Sequence, residues 1–153
     1  MLHLACFQPE IPQNVGTLLR TSLCLGFQLH LIYPLGFLLS DRFFKRAALD
    51  YGRAESMIHH ATWEDFMVFA HKQRALGGRL IALDPIGSEN IYAFSFQAQD
   101  IILLGAEQSG LGPTQRASAD CVLKIPMQPN KRSLNMAIAG SIAVSEAKRQ
   151  VDC

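Results

Sequence analysis

The common signatures of phosphate, metal and acyl chemistry are missing from this 153-residue sequence. There is no G-x-G-x-x-G after the first apolar run, no G-K-[ST] loop, no H-E-x-x-H and no G-x-S-x-G. Those absences disfavour dinucleotide oxidoreductases, P-loop enzymes, metallohydrolases and serine hydrolases. The five histidines (His3, His30, His59, His60, His71) lack metal-ligand spacing, so no metal is expected. The adjacent His59 and His60 should diverge into surface or packing roles. No C-x-x-C pair occurs among Cys6, Cys24, Cys121 and Cys153. The first three sit among apolar neighbours and read as reduced, mostly buried thiols of a cytoplasmic protein; Cys153 is left open. No apolar run is long enough to span a bilayer, so no membrane association is expected. The opening MLHLACFQPE lacks the basic start of a signal peptide. Charge is scarce as well: the net value is +1, so any nucleic-acid surface must gather its cations on one face. Repeats, linkers and low-complexity stretches are absent, which predicts one domain over residues 1–153.

What is present is 49% hydrophobic residues in a strand–helix rhythm. Strands are predicted over Leu2–Phe7, Phe27–Tyr33, Arg79–Asp84, Asp100–Gly105 and Cys121–Ile125, with a brief one around Ser56–Ile58. Pro12 suits the first turn of a helix carrying Val15, Leu18, Leu19, Leu23 and Leu25, which ends near Gly26. Ser40 or Asp41 caps a short helix with Phe43, Phe44, Ala47 and Ala48 on one side. Thr62 with Asp65 resembles a capping box for a helix through about Arg74. A last helix runs from about Leu134 to Gln150. Alternation of this kind implies an α/β fold, a mostly parallel sheet with helices on both faces.

Two junctions in the last third stand out: IILLGAEQSGLGP (Ile101–Pro113) and LKIPMQPNKRSLNMAIA (Leu123–Ala139). Each passes from an apolar run through a Gly- or Pro-rich loop into a helix start. Such junctions lie at the carboxyl ends of strands, where open α/β sheets bind ligands, so the pair suggests one site built by neighbouring loops. Read singly, Gly105 and Gly110 are turn formers, Pro113 starts a helix, Ser133 is an N-cap and Asn135 a first-turn polar residue. Near the N-terminus, Asn14, Gly16 and Arg20 share the first helix. Gly16 costs about 1 kcal/mol there relative to Ala, which suggests a close approach. Either another helix packs on it, or Arg20 reaches back over the bare patch to hold a phosphate.

Taken in order, N-x-G-x-x-x-R, LLGAEQSGL and IPM…SLN-x-A resemble the three motifs of the SPOUT (SpoU-type) superfamily of RNA methyltransferases. FQPEIPQNVGTLLR, YPLGF followed by DRFFKRAALDY, and IPMQPNKRSLNMAIA are similar to the short single-domain branch that methylates the wobble ribose of tRNA. Ser109 departs from the pattern, standing where a basic residue is common. The resemblance implies a Rossmann-like sheet with a C-terminal deep trefoil knot, and S-adenosylmethionine bent in a pocket held by main-chain groups. Leu83, Gly105, Ile125 and Ser133 match cofactor-contacting positions, with Met127 and Leu134 enclosing the adenine. At Gly105 a side chain would fill the space the ligand needs.

The implied reaction is transfer of a methyl group to the 2′-hydroxyl of a cytidine or uridine at the wobble position. Arg20 is expected to act from a partner subunit of a homodimer, on the flanking phosphate or the hydroxyl, with Glu107 and Asn135, beside Ser133, positioning. Lys45, Arg46, Lys131 and Arg132 are candidates for a tRNA-facing surface. Small residues of the last helix (Ala137, Ala139, Gly140, Ser141, Ala143) allow close helix approach, within the core or across the two-fold axis. Methylation of ribosomal RNA or of another tRNA position by the same fold, and a knotted binding module without catalysis, are the alternatives.

Overall fold

The computed structural model describes residues 1–49 and 56–152. In chain order the elements are β1 (His3–Phe7), α1 (Pro12–Leu25), β2 (Gln28–Ile32), α2 (Arg42–Ala48), β3 (Ile58–His60), α3 (Trp63–Ala75) and β4 (Leu80–Leu83). There follow β5 (Glu89–Asn90), a single 3-10 turn, β6 (Ile101–Leu104), α4 (Pro113–Ser118), β7 (Cys121–Lys124) and α5 (Met136–Val151). The strands pair in parallel in the order β3-β2-β1-β6-β4-β7-β5.

Alternation along each strand divides the interior into two layers. Leu4, Cys6, Leu29, Leu31, Ile102 and Leu104 point toward α1, α2 and α5, meeting Val15, Leu18, Leu19, Phe44, Ala143 and Val144. Their strand neighbours Ala5, Ile32, Ile101 and Leu103 point the other way, toward Phe66 and Ala70 of α3. Both faces of the sheet are therefore covered, which is why the strands read as nearly unbroken apolar runs. Each fully buried Leu contributes roughly 1.5–3 kcal/mol over an exposed one.

The predicted strands keep their places and lose at most a residue at each end, and two expectations are revised. The strand expected at Ser56–Ile58 is Ile58–His60, set by the pairing of His30 with Ile58 and Ile32 with His60. Leu23 and Leu25 of α1 are exposed, as is Cys24, so the buried stripe is Val15, Leu18, Leu19 and Ser22. Cys153 and the end of the DRFFKRAALDY segment lie outside the described residues. Asp41 accepts from the Phe43 N–H at 2.7 Å and Thr62 Oγ1 from the Asp65 N–H at 3.1 Å, so both N-caps form as expected, the second as one half of a capping box.

Gly16 is explained by helix packing. A Cβ there would lie 2.6 Å from the Phe44 carbonyl oxygen and 2.8 Å from Ala47 Cβ. The missing side chain lets α2 rest on α1, and α2 occupies the bare patch over which Arg20 was expected to reach. The last helix uses its small residues in the same way: a Cβ on Gly140 would meet Leu104 at 2.8 Å and Leu18 at 3.1 Å. That side of α5 belongs to the core.

Three histidines that are distant in sequence form a chain across β1, β2 and β3. His3 Nδ1 lies 3.0 Å from His30 Nε2, and His30 Nδ1 lies 2.9 Å from His60 Nε2. All three are buried, beside Phe66 and Phe69. One consistent direction of N–H donation satisfies both contacts with neutral rings. Burial holds His3 down at about 4 and depresses His30 and His60 as well, with mutual repulsion adding to the shift at His30. In the unfolded chain these groups titrate near 6.5. Below that value the unfolded state takes up protons that the native state refuses, so stability is lost as pH falls. Urea unfolding should show a loss of about 2–4 kcal/mol between pH 7 and pH 5. A flat profile over that interval would show that the triad is not held neutral.

Candidate active site

The winding of the chain sets the position of the site. From β1 the chain builds outward through β2 and β3, then crosses to the other side of β1 to lay down β4 to β7. Crevices outside the carboxyl ends of strands at such a reversal are where open α/β sheets bind ligands. A cavity of about 490 Å³ opens there, within the range of small-molecule sites. The loops after β6 and β7 both line it, as the two sequence junctions suggest. They are not adjacent, however: β4 lies between β6 and β7, and its own loop, Asp84–Ile86, forms the middle of the wall.

All six residues expected to contact a cofactor line this cavity: Leu83, Gly105, Ile125, Met127, Ser133 and Leu134. Glu107 and Asn135 line it too, whereas Arg20 does not. Arg20 is exposed on α1, six residues beyond Asn14 and therefore about 120° around the helix from it. Lys45, Arg46, Lys131 and Arg132 are exposed, and Ser109 is exposed on the loop after β6.

Glu107 has a more specific task than general positioning. Helix α1 begins at Pro12 with Ile11 as its cap, and Ile11 offers no side-chain oxygen. The Glu107 carboxylate supplies the missing acceptor from across the site. Its Oε2 accepts from the Glu10 N–H at 2.7 Å, and its Oε1 from the Ile11 N–H at 3.1 Å and Asn14 Nδ2 at 3.0 Å. An anion at a helix N-terminus also gains from the helix dipole. Asn14, nearly buried, passes the connection on: its Oδ1 accepts from Asn135 Nδ2 at 2.8 Å. Asn135 Oδ1 in turn accepts from Ala137 N–H at 2.8 Å and Ile138 N–H at 3.3 Å.

This last pair of bonds makes Asn135 the N-cap of α5, with the helix starting at Met136. Sequence pattern had assigned the cap to Ser133 and the start to Leu134. Asn135 prevails because its amide also has a partner in Asn14, and Ser133 is left exposed on the cavity wall. One hydrogen-bonded line thus joins the loops after β1, β6 and β7 to the starts of two helices. Backbone and neutral groups dominate the lining, which suits an adenosine with an apolar base face and a hydrogen-bonding ribose.

The reason for Gly105 also changes. A Cβ there would lie 2.3 Å from Gly110 C and 2.4 Å from Leu111 N. The residue is small because its own loop folds back on it, closed by the Gly110 N–H to Ala106 carbonyl bond of 2.8 Å and by Gly110 at φ 66°.

Two residues escaped the sequence analysis. Asp84 is the first residue after β4, and Arg116 lies on α4; both line the cavity. The signal for Asp84 was available, as a carboxylate at a strand's carboxyl end. Arg116 had none, because α4 is only six residues long and carries no buried residue to fix its phase.

The profile of the SpoU rRNA Methylase family matches residues 1–145. A relative from Beijerinckia indica, named tRNA (cytidine(34)-2'-O)-methyltransferase, is 42% identical over 148 residues, covering 97% of this chain and 91% of its own. A solved structure described as giving insight into the 2-OH methylation of C/U34 on tRNA superposes with a TM-score of 0.89 at 42% identity, covering 98% of this chain and 95% of that one. The AviRb SpoU methyltransferase of Streptomyces viridochromogenes, solved in complex with AdoMet, superposes with a TM-score of 0.86 at 26% identity. It covers 98% of this chain and 57% of its own.

Proposed function

Because the chain belongs to the SpoU rRNA Methylase family, we propose that it methylates the ribose 2′-hydroxyl of the wobble nucleotide, cytidine or uridine, in the tRNA anticodon loop. S-adenosylmethionine is the methyl donor. The observation that carries this reading is the cavity at the carboxyl ends of β4, β6 and β7, lined by all six expected cofactor residues and braced by Glu107, Asn14 and Asn135. The names of the relatives with near-complete overlap supply the substrate.

The cofactor's sulfonium supplies an activated methyl group, so the chain has little covalent work to do. Its residues hold the donor, exclude water and bring a ribose oxygen into line. Leu83, Ile125, Met127 and Leu134 give the base an apolar enclosure. Glu107 and Asn135 keep the walls in register, and their hydrogen bonds commit them to that task. Arg20 provides the cation that makes the 2′-hydroxyl easier to ionise, or grips the flanking phosphate.

Since Arg20 lies outside its own chain's cavity, it acts from the partner subunit of a homodimer. Helices α1 and α5 pack against each other and leave Leu23 44% and Ile138 52% exposed, apolar surface suited to such an interface. Lys45, Arg46, Lys131 and Arg132, doubled by the two-fold axis, face the tRNA and offset the small net charge. The loops after β6 and β7 cross in a deep trefoil knot within one domain over residues 1–153. The protein works in the cytoplasm, and the chemistry calls for no metal and no membrane.

Methyl transfer to unmodified tRNA transcripts, with the nucleoside identified by mass spectrometry, tests the reading. A 2′-O-methylated wobble nucleotide is expected. A base-methylated product, or product only on ribosomal RNA, would replace the substrate while keeping the cofactor site. Cofactor binding with no product on any RNA would favour a binding module.

A further inference from the structure

We propose that Asp84 and Arg116 form a zwitterion-recognising subsite, taking the α-ammonium and α-carboxylate of the cofactor's methionine tail. This deepens the reading above and rests on it. Among the residues lining the cavity, Arg116 is the one cation and Asp84 and Glu107 are the carboxylates. Glu107 accepts three N–H bonds of 2.7–3.1 Å at the start of α1. Asp84 is less fully engaged. Its Oδ1 accepts from the Ile86 N–H at 3.1 Å, while its Oδ2 lies 3.4 Å from Arg116 Nη1. Charge-assisted contacts normally close to about 2.7–2.9 Å. Asp84 is only 8% exposed, so a nearly buried carboxylate has one loose ionic partner. Such a group gains from a further cationic donor.

Arg116 is unsaturated in a complementary way. Its bonds to Asp84 and to the Leu111 carbonyl both use Nη1. Nε and Nη2 have no partner among the described residues, and that edge of the guanidinium is the fork that binds a carboxylate with two parallel N–H bonds. The side chain is 29% exposed, so the fork is reachable from the cavity. A phosphate of the RNA would meet the same fork but would also meet the negative charge of Asp84. An amino-acid tail carries both charges on one carbon, so each finds its opposite. The pairing therefore favours the zwitterion over a phosphate.

The test compares S-adenosylhomocysteine, which has the tail, with 5′-methylthioadenosine, which lacks both charged groups, by calorimetry on the intact protein. Wild type should prefer S-adenosylhomocysteine by about tenfold or more, of the order expected for one or two charge-assisted bonds. Arg116→Gln and Asp84→Asn should each weaken S-adenosylhomocysteine about tenfold and leave 5′-methylthioadenosine within about twofold. Parallel weakening of both ligands would overturn the proposal, because it would mean that the pair fastens the loop after β4 to α4 or that Asp84 holds the ribose. Unchanged discrimination in both variants would overturn it too. Failure of wild type to bind either ligand would instead remove the cofactor reading of the cavity, and the subsite with it.

Discussion

Arg20→Ala is expected to lower methyl transfer by about 10²–10⁴-fold, the span seen when an acid–base or charge-stabilising group is removed, while cofactor affinity stays within about twofold. The separation follows from geometry. Arg20 is exposed on α1 and absent from the cavity wall, so removing it leaves the cofactor contacts untouched. Gly16 and the stripe of Val15, Leu18 and Leu19 hold α1 in place, and an unchanged unfolding temperature of the variant is the control that the fold is kept. Mixed subunits decide where Arg20 acts. Arg20→Ala alone and Glu107→Ala alone should both be nearly inactive, the second because α1 loses the acceptor for three N–H groups. In the homodimer proposed above, subunit exchange makes half of the dimers pair one variant with the other. If Arg20 serves the partner's site, each such dimer regains one of its two sites, and the mixture recovers about a quarter of wild-type activity. If Arg20 serves its own chain, nothing is recovered. Equal loss of cofactor affinity and turnover in Arg20→Ala would place the residue at the cofactor and overturn the assignment.

The parts of this molecule visible in the sequence are those fixed by local chemistry. Parallel strands buried on both faces announce themselves as apolar runs, and Pro12, Gly26, Asp41 and Thr62 mark helix ends through backbone rules that need no partner. Contacts between distant segments set the rest. Ser133 and Asn135 are both good caps, and only the amide of Asn14, 121 residues away, decides between them. Gly16 and Gly105 were visible as anomalies, but the atoms that require them, in α2 and in the loop at Gly110, come from the packed structure. The histidine triad is spaced by 27 and 30 residues and exists because β1, β2 and β3 lie side by side. Strand β5 has two exposed polar residues and no pattern to detect. The strand order itself, with β4 inserted between the two junction strands, is what brings Asp84 into the cavity.

Gly105→Ala separates the local reading of that residue from the structural one. If the glycine merely leaves room for ligand, an added methyl should weaken cofactor binding and leave the apo protein as stable as wild type. The packing says otherwise. The new Cβ would lie 2.3 Å from Gly110 C and 2.4 Å from Leu111 N, and both are backbone atoms with no rotamer to change. The loop must shift as a unit, held as it is by the Ala106–Gly110 bridge. That shift pulls at Leu111, 2% exposed in the second core layer, and at Glu107, whose carboxylate anchors the start of α1. Overpacking at a site of this kind costs about 1–3 kcal/mol. The expected result is a lower unfolding temperature without ligand, together with a loss of S-adenosylhomocysteine affinity of about 100-fold or more, because three walls of the cavity move together. The far-UV spectrum should be retained, since β6 ends at Leu104 and its pairing with β1 and β4 lies before the clash. An unfolding temperature equal to wild type with affinity reduced would return Gly105 to the simpler role of ligand clearance. It would also mean that the loop after β6 yields more easily than its contacts with Glu107 and Leu111 imply.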